Sequence, residues 1–138
     1  PLPPPTPALA CPGPANNSFS GCYYSDPNFN RLSLIRNDQT VNFDWGSGSP
    51  GAGLPADSFS ARWDGKFNFS PGRYTFSLTG DDGVRLYVDG ALLINQWKDQ
   101  PATTYRASKR LSSGTHRIRV EYYEKAGGAV AKLSWTRN

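Results

Sequence analysis

Two aspartates stand side by side in TGDDGVRLYVDG, residues 79–90. Neighbouring residues of an extended chain point to opposite faces, and adjacent carboxylates repel. Asp81 and Asp82 therefore mark a turn at which something offsets their charge. Glycoside hydrolysis needs two acids about 5–9 Å apart across a cleft, so an adjacent pair suits a metal better. Asp57, Asp64, Asp89 and Asp99 all sit by glycine, proline or turn signals. His116, the only histidine, opens a strand pattern and is expected to be exposed, with no serine or cysteine nucleophile motif beside it. The chain is expected not to be an enzyme.

Cys11 and Cys22 are the only cysteines and bracket CPGPANNSFSGC. That spacing fits no common zinc signature, and no second pair completes a site. A redox pair, the other functional reading, usually takes the form Cys-x-x-Cys. A disulfide stapling an N-terminal arm is the preferred reading, and it implies export, with the protein secreted or held at the cell surface. Ahead of it, PLPPPTPAL has the composition of a stiff linker. Residues 1–10 are accordingly read as a proline-rich linker and 11–138 as one domain, a monomer tethered beside neighbouring domains of its parent chain. No signal peptide is recognised.

Four tryptophans invite a search for a sugar-stacking platform, because the C–H face of a sugar ring is apolar. Trp63 and Trp135 fall on alternating strand patterns and are read as core. Trp97 follows a hairpin near the aspartate pair, and Trp45 lies in DWGSGSPGAGLPADS, residues 44–58, which is expected to be a long surface loop. Both could stack on a sugar, and so could Tyr123, which points away from the core; packing at the core or rim is the alternative for each.

The elements that must position these residues read almost wholly as strands. RYTFSLTG alternates Tyr74, Phe76 and Leu78 against Arg73, Thr75 and Ser77. VRLYV, HRIRVEYYE and AVAKLSW alternate in the same way, and period two marks a sheet with one buried face. Turn-formers separate them: Ser70-Pro71-Gly72, Asp89-Gly90, Ser112-Ser113-Gly114 and Ala126-Gly127-Gly128. No stretch carries a helical period, so the expected fold is all-β, an antiparallel β-sandwich or barrel. Phe59, Trp63, Tyr74, Phe76, Leu86, Val88, Val120, Tyr122, Leu133 and Trp135 are its expected core. Net charge is +4, from 15 basic and 11 acidic residues. The basic residues are scattered rather than clustered, which argues against a nucleic-acid surface. No apolar run is long enough to span a membrane.

The order of motifs closely resembles the PA14 domain family. FSARWDG, the DDGVRLYVDG hairpin, INQW and EYYEKAGGA followed by LSW occur in the family's order. The resemblance covers roughly residues 20 to 136, nearly all of the chain after the linker. The family recurs in bacterial glycosidases, proteases and adhesins and in yeast flocculins, and its fold is an antiparallel β-sandwich or barrel.

The resemblance also implies a role for the aspartate pair. In the sugar-binding members, two consecutive aspartates joined by a cis peptide bond hold calcium. An asparagine and backbone carbonyls of a later loop complete the site, and sugar hydroxyls bind the ion. Here the later loop carries Glu124 or Lys125 at the asparagine's place, so the implied metal set is Asp81, Asp82 and Glu124, with the carbonyls of Lys125, Gly127 and Gly128. The implied function is that of a noncatalytic, calcium-dependent carbohydrate-binding module, lectin- or adhesin-like. A spacer or protein-interaction module without a sugar site is the alternative, in which Asp-Asp-Gly is simply a tight turn.

Overall fold

The computed structural model describes residues 10–51 and 53–138, so the proline-rich segment lies outside the described residues. Eleven strands form two sheets, with no helix among the described residues. In chain order they are β1 (Ala15–Asn16), β2 (Phe19–Tyr24), β3 (Leu32–Asp38), β4 (Asn42–Gly46), β5 (Phe59–Phe69), β6 (Gly72–Asp81), β7 (Gly83–Val88), β8 (Ala91–Gln96), β9 (Thr103–Leu111), β10 (Gly114–Glu124) and β11 (Ala129–Arg137). One sheet runs β3-β2-β5-β10-β7-β8, with the short β1 added beside β5; the other runs β4-β11-β6-β9. Every pairing is antiparallel except that of β1 with β5.

The alternation read from sequence becomes the inner faces of these sheets. Tyr74, Phe76 and Leu78 of β6 meet Val84, Leu86 and Val88 of β7 and Ile118, Val120 and Tyr122 of β10 in one buried cluster. Asp89 and Gly90 both take positive φ, 50° and 83°, the mirror-image turn that matches the twist of a two-residue hairpin. Leu133 and Trp135 depart from expectation. They are half-buried, because their end of β11 faces the open rim of the sandwich, where Trp135 leans on Phe67, Phe69 and Phe76.

Residues 44–58 are also corrected. The chain does not loop from Asp44, because Asp44, Trp45 and Gly46 finish β4. Ring stacking supplies the reason: Trp45 lies parallel to Phe43 and Trp63, with centroids 4.9 Å and 6.5 Å away, and is drawn, half-buried, against the core.

Cys11 and Cys22 are bonded. Cys22 is fully buried within β2, an interior strand of its sheet. The staple therefore fastens the arm directly to the sandwich, not to a segment preceding it. Acids and bases interrupt the outer face of the larger sheet in paired sets. Asp64 is not at a turn: it lies inside β5, 3% exposed, and takes Arg117 and Arg119. Glu121 takes Arg62 and Arg85. Among the described residues no helix is long and apolar enough to cross a membrane.

Candidate metal centre

The aspartate pair lies where the chain changes sheets. β6 ends at Asp81 in the smaller sheet and β7 starts at Gly83 in the larger one, while β10, ending at Glu124, and β11, starting at Ala129, make the return crossing. The two crossings are neighbours, because Tyr123 pairs with Gly83 and Val130 with Asp81. Gly83 is required by this closeness: a Cβ there would stand 1.9 Å from the Tyr123 ring.

The peptide between Asp81 and Asp82 is cis. One carboxylate oxygen from each of Asp81, Asp82 and Glu124 lies within 4.8 Å of the others. Asp82 is fixed from several sides. Its Oδ2 accepts the Lys125 N–H at 2.8 Å and its Oδ1 the Gln100 N–H at 3.2 Å. Its carbonyl accepts the Gln100 side-chain amide at 2.8 Å, and its own N–H donates to Tyr123 O. The Tyr122 hydroxyl donates to the Asp81 carbonyl at 2.6 Å and stands 3.5 Å from Glu124 Oε2.

Glu124 is the anomaly. It is 0% exposed, and its Oε1 has no hydrogen-bond partner. An uncompensated buried carboxylate is costly. Burial and the neighbouring Asp82 and Asp81 accordingly push its carboxyl up to about 9, and burial and Asp82 push Asp81 up to about 6. Three convergent carboxylates with one oxygen left over are a hard-oxygen donor set that fits a divalent cation such as calcium.

The loop behaves unequally. Lys125 supplies its N–H to Asp82, turns its ammonium to Asp99 at 3.5 Å, and accepts the Ser58 hydroxyl on its carbonyl. Gly127, at φ 90°, shapes the turn, and Gly128 lies against Asp81 Oδ2.

The aromatic candidates divide. Trp97 and Tyr123 stand together beside the acids, with ring centroids 4.8 Å apart, and the Tyr123 hydroxyl donates to Asp99 at 2.6 Å. Trp97 also carries the Arg85 guanidinium 3.8 Å from its centroid and stacks on Phe29, so its ring is packed by the protein, and Tyr123 beside it is buried at 9% exposure. Trp45 is half-buried and packs against the core, its ring tilted on Tyr122, the packing alternative to a sugar platform. Sequence reasoning missed Gln100, which lies in a loop with no pattern, and the polar use of Tyr122, whose place in the strand alternation signalled only core.

His116 is half-buried, not exposed. Its Nδ1 lies 2.5 Å from Asp89 Oδ2, and its Nε2 lies 2.8 Å from the Ser112 carbonyl but 3.5 Å from the Ser112 hydroxyl. Acceptors at both nitrogens favour the imidazolium, so His116 is a structural cation and not a base poised on a serine.

The PA14 domain model matches residues 15–138. The chain belongs to the PA14 domain family. It is 42% identical over 123 residues to the anti-sigma-I factor RsgI3 of Acetivibrio thermocellus, a match covering 87% of this chain and 19% of that protein. A solved anti-sigma factor domain-containing protein is 41% identical with a TM-score of 0.84, over 87% of this chain and 43% of that one. The PA14 sugar-binding domain from an RTX adhesin shares the fold at 17% identity, with a TM-score of 0.72 over 88% of this chain and 90% of its own. The chain thus spans about a fifth of the curated relative's length.

Proposed function

We propose that this PA14 domain is a noncatalytic carbohydrate-binding module whose sugar site is built on calcium held by Asp81, Asp82 and Glu124. The observation that carries the reading is the buried, unpartnered Oε1 of Glu124 among three convergent carboxylates. Calcium there would neutralise the cluster and offer remaining coordination positions to sugar hydroxyls on the side of Gly127 and Gly128. Asp82 is oriented by Lys125 and Gln100, Glu124 by Tyr122, and Trp97 with Tyr123 forms the adjoining wall. The sugar-binding adhesin domain of the same fold supports this reading.

The relatives named as anti-sigma factors support a further element, in which the domain is the ligand-reading part of a larger regulatory protein, displayed outside the cell. The disulfide agrees with an oxidising compartment. Calorimetric titration with calcium, followed by a glycan array with and without chelator, tests the site. Calcium binding that Asp82→Ala abolishes, together with chelator-sensitive glycan binding, is the expected result. No calcium binding at millimolar concentration refutes the metal reading and leaves the spacer module in its place.

A further inference from the structure

Charge is distributed differently on the two sheets. Every strand arginine of the larger sheet has an acid: Arg36 has Asp38, Arg62 and Arg85 have Glu121, and Arg117 and Arg119 have Asp64. The outer face of the smaller sheet exposes Arg73, Arg106, Arg110 and Lys132. Among the described residues, none of these four has an acidic partner within ion-pair distance. Two of them are set against each other, since Arg73 and Arg110 are direct register partners on β6 and β9. Like charges opposed in this way destabilise a sheet, and an anion lying across both would remove the repulsion.

Apart from Asn42, Asp44 and Val130 toward the β4 edge and Asp81 at the end of β6, the rest of that face is hydroxyl-bearing. Stepping along the strands from the arginine pair, Thr75 opposes Ser108, then Ser77 opposes Arg106 and Ser134, then Thr79 opposes Thr104 and Lys132. Three such steps of two residues span about 20 Å. The far end is an open groove of about 480 Å³, lined by Asn42, Ser77, Thr79, Thr104, Arg106 and Lys132 among others, with no carboxylate in its lining. The Thr79 and Thr104 hydroxyls pair at 2.7 Å and the Thr75 and Ser108 hydroxyls at 3.0 Å. One such bond uses one of the two protons and leaves several lone pairs for a ligand.

We propose that the outer face of the four-stranded sheet is a second binding surface, for a carboxylate-bearing polysaccharide of the uronate type. Arg73, Arg106, Arg110 and Lys132 take its carboxylates, and the serine and threonine rows take its ring hydroxyls. Sparse cations interleaved with hydroxyls match a polymer that carries both groups on each sugar. A nucleic acid asks for denser cations and for aromatic platforms, and no aromatic residue occupies the outward positions of β4, β6, β9 and β11. The proposal shares the carbohydrate reading above but does not depend on calcium.

Titration of the domain with alginate oligosaccharides in the presence of EDTA tests it. Binding should be seen by calorimetry, weaken as salt is raised, and fall about tenfold in the double variant R106E/K132E, each exposed ion pair being worth up to about fivefold. Arg31→Glu changes the net charge away from this sheet and should leave binding intact. A thermal melt of each variant establishes that it is folded. Undiminished binding in R106E/K132E, equal affinity for neutral xylan oligosaccharides, tighter binding of single-stranded DNA, or no binding in EDTA would each overturn the proposal. Because EDTA is present throughout, failure of the calcium site does not alter the outcome.

Discussion

Replacing Glu124 by glutamine should stabilise the metal-free domain while removing its response to calcium. Glu124 is fully buried, and its carboxyl is pushed from 4.5 to about 9. The sign follows from comparing the two states. The unfolded chain releases this proton near pH 4.5, whereas the folded chain holds it to about 9, so stability is highest below 4.5 and declines as pH rises through that window. At pH 7 roughly 2.5 pH units of the decline have accrued, about 3 kcal/mol at ~1.4 kcal/mol per unit. Glutamine carries no charge to bury, and its amide can donate to Asp81 and Asp82. In EDTA at pH 7, Glu124→Gln should therefore gain about 3 kcal/mol, or ~10 °C in melting temperature. Calcium at a hundred times its Kd should add about 2.7 kcal/mol to the wild type by mass action and nothing to the variant. Differential scanning calorimetry with EDTA and with calcium reads both effects. A variant less stable than wild type in EDTA refutes the burial argument, and a variant that keeps the calcium gain removes Glu124 from the ligand set.

Three other outcomes follow from the structure. Asp38, 8% exposed, accepts Trp63 Nε1 at 3.0 Å and the Tyr23 hydroxyl at 2.5 Å and pairs with Arg36; Asp38→Ala should cost about 3–5 kcal/mol in urea unfolding, because it strands a buried network. Replacing both Cys11 and Cys22 by serine should cost about 2–3 kcal/mol for the short loop they close, with the far-ultraviolet spectrum of the sheets retained. Burial opposes the charged form of His116, but Asp89 outweighs it and raises the group, so that ion pair stabilises fully below the unfolded histidine value and fades as pH rises through the folded one; Asp89→Asn should lessen the loss of melting temperature expected as pH rises through that range, with the share due to Glu124 remaining.

Strand content was legible because burial on one face writes itself as period two. Tyr74, Phe76, Leu78, Val84, Leu86 and Val88 needed no tertiary information to be assigned. The rule weakened where both faces are covered. Glu121, Tyr123 and Glu124 lie at the end of β10, buried on outward as well as inward positions, and alternation alone would have put Glu121 and Tyr123 in water. Trp45 escaped for a related reason: the glycines and prolines after it look like loop, while the distant partners that hold it, Trp63 and Tyr122, act across space. The aspartate pair was legible as chemistry, but what fixes it was not. Gln100 and Tyr122 reach it from distant parts of the chain, and single-sequence spacing carries no record of such contacts.

The location of the acids explains why a turn of this fold would spend buried carboxylates at all. Asp81 and Asp82 occupy the crossing from the smaller sheet to the larger, and Glu124 closes the strand that leads into the crossing back. Among the described residues no strand ladder joins one sheet to the other, and the crossings are held by the Asp82 N–H on the Tyr123 carbonyl and by bonds that involve side chains: Tyr122 on the Asp81 carbonyl, Gln100 and the Lys125 N–H on Asp82. A cation shared by the three carboxylates would clasp both crossings at once, because its ligands come from each. Ligand affinity and sandwich stability are then coupled by linkage, so any sugar that tightens calcium must also raise the melting temperature. Such a clasp would join the crossings that lead directly into β7 and β11 on opposite sheets.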